Sequence, residues 1–126
     1  VASPTEVRWL DQPEAKDYAA AESFLSMLVA PAALPELISR LREAPEGQWK
    51  AKDILRAAGL PPLKPKQSAE VAEKLAKVKA RKAISPILVV GGLHGALVIA
   101  DGYHRASAAH WIDEDSAVRG RLLWVT

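Results

Sequence analysis

Two uninterrupted apolar runs, Pro86-Ile87-Leu88-Val89-Val90 and Ala96-Leu97-Val98-Ile99-Ala100, stand on either side of Gly91-Gly92-Leu93-His94-Gly95. Runs of five bounded by glycine read as strands, and the spacing predicts a hairpin with a glycine-rich loop. Neither run alternates apolar with polar residues, so both faces of the hairpin need covering. This demand constrains the rest of the chain, which must supply a layer for each face. The sequence then turns at Asp101-Gly102 into a helical pattern from about Tyr103 to Ile112. An acidic turn, Asp113-Glu114-Asp115, and a closing strand, Arg121-Leu122-Leu123-Trp124-Val125, follow.

The covering helices are sought upstream. Glu6 to Leu10 reads as a short strand or extended lead-in. Asp11 and Pro13 predict a helix start, since a short acidic side chain caps free amides and proline fits the first turn. Ala20, Phe24, Leu25, Leu28 and Val29 carry that helix to about Val29, before Pro31. A second helix is expected over roughly 33–43 on Leu34, Leu37, Ile38 and Leu41, then a turn at Pro45-Glu46-Gly47 and an extended piece at Trp49. A short helix over 51–58 ends at Gly59, and Pro61, Pro62 and Pro65 break up the loop after it. Ser68 opens a helix to about Arg81 with Val71, Leu75 and Val78 as its buried seam. The expected class is α+β, a single domain of 126 residues in which a mostly helical segment, 1–66, precedes a core, 67–126, built on a small mixed sheet.

Cysteine is absent, which removes disulfides, thiolate zinc ligands and thiol nucleophiles. No apolar stretch approaches a membrane span, so no membrane partner is expected. No basic, apolar and small-residue pattern opens the chain, and the reducing cytoplasm is the expected compartment. The three histidines lack a zincin-type spacing, so neither zinc nor haem is expected. The formal net charge is +2, but residues 50–82 hold ten basic side chains against three acidic. Lys74, Lys77 and Arg81 line one flank of the fourth predicted helix. This block reads either as a solvated lysine-rich face or as an attractor of phosphate-bearing partners, DNA among them.

The chemistry concentrates in Asp101-Gly102-Tyr103-His104-Arg105-Ala106-Ser107-Ala108-Ala109. A helix leaving a buried strand presents amides with no partner inside it, and its dipole adds partial positive charge there. Glycine permits close approach, Arg105 offers a planar donor fork, and His104 a second donor. Together these describe an anion pocket, best suited to phosphate. The bland readings are that Asp101 caps the helix, that Arg105 pairs with Asp101 or the 113–115 turn, and that Tyr103 packs at the sheet edge.

A strand, hairpin and strand, then Gly102-x-x-Arg105 with Ala108 at a helix start, then a closing strand, resembles the ParB/sulfiredoxin-like fold family. The resemblance covers roughly residues 84–125. It implies that Gly102, Tyr103, His104 and Arg105 contact the phosphates of a nucleotide of the CTP or ATP/ADP class. From the residues themselves, Asp101 is expected to turn away, hold Mg²⁺ or act as a base if a nucleotide binds, and Asp101 or His104 is the candidate base if hydrolysis or phosphotransfer occurs. Sulfiredoxins place their reacting cysteine where Tyr103 stands, so sulfinic-acid reduction is excluded. The Gln-Pro-Arg box of partition ParB proteins is matched only by Gln12-Pro13, with Glu14 next, and no helix-turn-helix reader follows the core. Three functions stay open: a nucleotide-phosphate-binding domain; a DNA-associated module using Lys74, Lys77 and Arg81 without sequence readout; and a catalytically silent interaction domain, with a homodimer as one form of partner.

Overall fold

The computed structural model describes residues 6–125. Its core is a four-stranded mixed sheet in the order β1-β4-β2-β3, where β1 is Glu46–Lys50, β2 Ile87–Leu93, β3 Ala96–Asp101 and β4 Ala117–Trp124. β2 and β3 form the antiparallel hairpin, β4 runs parallel to β2, and β1 pairs antiparallel to β4. The helices are α1 (Ala15–Leu25), α2 (Leu34–Arg42), α3 (Ala51–Ala57), α4 (Ala69–Lys79) and α5 (Tyr103–Ile112). The α+β class follows directly.

Both hairpin faces are covered, as its composition demands. Side chains alternate across a strand. Leu88, Val90, Ala100 and Leu123 therefore turn to one side and pack against Tyr18, Ala21 and Leu25 of α1 and Leu37, Ile38 and Leu41 of α2. Ile87, Val89, Ile99 and Val118 turn to the other and meet Ala51, Ile54 and Leu55 of α3 and Ala106 and Ala109 of α5. Small residues on α5 let that helix lie close on the sheet. α4 forms an outer layer, seating Val71 and Leu75 against Ala108 of α5. The 1–66 segment is thus tied in twice, through β1 in the sheet and through helices on both faces.

Several boundaries differ from expectation. α1 starts at Ala15, and its cap is Glu14, not Asp11; Glu14 and Asp17 form a reciprocal capping box. It ends at Leu25, with single turns following, because the apolar residues beyond are needed at the sheet edge. Glu46 and Gly47, expected in a turn, belong to β1, paired with Arg121 and Gly120. β2 runs on through Gly91 and Gly92, and the hairpin turns at His94 and Gly95, both with positive φ (51° and 79°), the backbone of a tight two-residue turn. Gly91 is glycine for a packing reason: a Cβ there would lie 2.6 Å from the Trp124 ring. The lead-in is extended, with Leu10 N–H donating to Ile84 O and Ile84 N–H to Arg8 O. Ser68 caps α4 as expected, its Oγ accepting from Val71 N–H at 3.2 Å.

Candidate functional site

The predicted chemistry lies where β3 leaves the sheet. β3 ends at Asp101, Gly102 is the N-cap of α5 with φ 114° and ψ 14°, and α5 begins at Tyr103. No L side chain fits at Gly102. Its φ lies in a region that favours glycine, and a Cβ would fall 2.3 Å from Ile87 Cγ2. Gly102 O accepts the first helical bond, from Ala106 N–H. Among the described residues no side chain caps the helix, and the N–H groups of Tyr103, His104 and Arg105 have no protein partner. Three amides without an internal partner and the positive end of the helix dipole therefore meet at the start of α5, after a glycine.

Asp101 does not take the capping position expected of it. As the last residue of β3 it turns towards Arg105, whose Nη2 donates to Asp101 Oδ2 at 2.8 Å and to Pro86 O at 3.3 Å. Arg105 Nη1 lies 3.5 Å from Asp17 Oδ1. Asp17 is buried, and its other oxygen accepts from Glu14 N–H at 2.8 Å. Arg105 is thus the bolt of a buried cluster joining α1, β3 and α5, and its side chain is only 11% exposed. Its Nε is buried with no partner among the described residues. Two carboxylates share one guanidinium here. Burial pushes the Asp101 carboxyl above its ordinary value, outweighing the pull of Arg105, and the nearby Asp17 carboxylate adds to the upward push.

The other predicted residues surround this start of α5. His104 is partly exposed, its Nδ1 3.0 Å from Glu70 Oε2 on the first turn of α4. The Tyr103 hydroxyl donates to Pro61 O. Ser107 Oγ, fully buried, accepts from Leu63 N–H at 3.0 Å, and Trp111 Nε1 donates to Leu63 O at 2.7 Å. Tyr103, Ser107 and Trp111 recur every four residues, so one stripe of α5 straps down the proline-rich loop. That strap and the Asp17 contact were not foreseen. The i, i+4, i+8 polar spacing was a signal for the first, whereas Asp17 reads locally as a capping residue and gives no hint of a partner 88 positions away.

The basic flank is less free than its sequence suggests. Lys74 and Lys77 both lie 3.4 Å from Glu73 Oε1, and the Lys74 side chain is only 21% exposed. Arg81 sits beyond the end of α4 with φ 59°. α4 nevertheless lies alongside α5, with Lys74 one turn on from Glu70. Among the described residues no group of three or more histidine or acidic side chains is disposed to hold a metal ion, and no helix is long and apolar enough to cross a membrane. Comparison with family models, curated proteins and solved structures returns no match to this chain.

Proposed function

We propose that the chain binds the phosphate end of a nucleotide at the start of α5. The observation that carries the reading is the set of unpartnered amides of Tyr103, His104 and Arg105 above a left-handed Gly102, an arrangement suited to anionic oxygens. His104 stands at the rim and supplies a further donor once freed from Glu70. Arg105 acts from behind, holding the turn in shape through Asp101 and Asp17. The ParB/sulfiredoxin-like resemblance names the ligand class as CTP or ATP/ADP. Mg²⁺ would arrive with the nucleotide, bound to its phosphates.

The two acids leave the cluster with more negative than positive charge when both are ionised. A proton on Asp101, whose carboxyl burial shifts upward, removes that surplus. Isothermal titration with CTP, ATP, ADP and GTP in millimolar Mg²⁺ tests the reading. Binding of at least one nucleotide, weakened by His104→Ala and lost in a variant with proline at position 104, which removes one amide, is expected. No heat with any of the four at millimolar concentration contradicts it.

A second reading, DNA association through Lys74, Lys77 and Arg81, draws on the basic flank beside α5. It requires a log–log salt slope near about −0.9 for each phosphate neutralised, and loss of binding when the three are reversed in charge. A slope near zero contradicts it.

A further inference from the structure

A separate cavity of about 310 Å³ opens between α3, the loop after it and the second half of α5. Its apolar surface comes from Leu60 and Pro62, with the buried Leu55 beneath. Its only ionisable lining groups are basic: Lys52, Arg56 and His110. Lys52 and Arg56 are four apart on α3 and so share a face. Each also has an acidic neighbour, Asp115 Oδ1 at 2.9 Å from Lys52 Nζ and Asp53 Oδ1 at 3.1 Å from Arg56 Nη2. Neither acid lines the cavity. His110 Nδ1 is buried without a partner among the described residues, which leaves Nε2 as the ring nitrogen open to a ligand.

We propose that this cavity is a binding site for a small organic monoanion with a flat apolar body, of the aryl carboxylate class. The ring lies on Leu60 and Pro62, and the carboxylate sits between Lys52, Arg56 and His110 Nε2. The donors of Lys52, Arg56 and His110 select the anion, which competes with Asp115 for Lys52 and with Asp53 for Arg56. Volume limits the ligand. The space, about 310 Å³ and open to solvent, has room for one ring with a short acid arm. The site is independent of the α5 start, since it uses the opposite half of that helix and none of Gly102 to Arg105. The carbonyl of Pro61, which also borders the cavity, accepts from Tyr103, so an occupied cavity adjoins the strap without requiring the phosphate site.

The test is a titration of the full chain with phenylacetate, followed by amide and histidine-ring nitrogen NMR, with benzyl alcohol as the neutral control. Expected are saturable shifts at the His110 ring and the Leu60 amide, none at these positions with benzyl alcohol, and affinity reduced about tenfold or more by Arg56→Glu. The Arg56 side chain is 82% exposed, so this variant keeps the fold, and its unchanged amide spectrum elsewhere verifies that. Lys52→Glu provides a second, independent reversal. Three results overturn the proposal: no shift at His110 or Leu60 up to about 10 mM, equal shifts from the neutral alcohol, or affinity unchanged by both reversals.

Discussion

Replacing Gly102 by alanine tests the backbone on which the site depends. Two penalties add. A residue with a Cβ must hold φ at 114°, a strained conformation costing about 1–3 kcal/mol. The new methyl would also lie 2.3 Å from Ile87 Cγ2 and 2.7 Å from Ile87 Cβ. Ile87 is fully buried between sheet and helices, so relief requires overpacking of a closed core, about 1–3 kcal/mol more. The sum, about 2–6 kcal/mol, is a large part of the stability of a domain of this size. With an unfolding entropy near 2.1 cal/mol/K per residue, each kcal/mol is worth about 4 °C here, so Tm should fall by about 8–24 °C. Urea unfolding of four proteins closes a cycle: parent, Gly102→Ala, Ile87→Ala and the double variant. Ile87→Ala alone costs about 2–5 kcal/mol by leaving a cavity. On that background Gly102→Ala should cost less than on the parent, because the 2.3 Å contact with Cγ2 is gone and only the backbone strain and the 2.7 Å approach to the remaining Cβ are left. A Gly102→Ala protein within about 0.5 kcal/mol of the parent, or equal costs on both backgrounds, refutes the reasoning.

Other outcomes follow from the same contacts. Asp101 has a folded pKa raised above its ordinary 3.8, so the native state holds that proton more tightly than the unfolded chain, and the resulting stability is lost as pH rises through the folded value. Asp101→Asn removes this loss, so variant stability relative to parent, measured by urea midpoints, should increase between pH 4 and 7; a flat difference contradicts it. Ser107→Ala leaves Leu63 N–H without its acceptor and should cost about 1–3 kcal/mol, with faster hydrogen exchange at Leu63 as the local readout. Ser68→Ala removes the cap on Val71 N–H and should cost about 1 kcal/mol, whereas Ser68→Gly costs a few tenths; equal losses would point to packing instead of capping.

Much of the architecture was legible because it is written in local patterns. The hairpin needed cover on both faces since neither of its runs alternates, and α5 was bounded correctly, Tyr103 to Ile112, by a glycine before it and an acidic turn after it. The glycine loop was misplaced because glycine signals both turns and close packing, and Gly91 serves the second purpose under Trp124. β1 was half missed because Glu46 and Gly47 resemble turn residues, and only pairing with β4 makes them strand. The site was legible as a motif but not as an electrostatic cluster. Gly102 and Arg105 announce themselves by spacing, whereas the partnership of Arg105 with Asp17 arises only when α1 packs against the sheet. The same is true of the α3 cavity, whose basic lining comes from two segments more than fifty residues apart.

The central claim is that the unpartnered amides of Tyr103, His104 and Arg105 receive phosphate. The most direct measurement is an amide NMR titration with CTP and ADP in Mg²⁺, read residue by residue. The account predicts saturable movement of those three amides and of the His104 ring. Shifts confined to α4 or to the α3 cavity, with the start of α5 unmoved at millimolar nucleotide, contradict it.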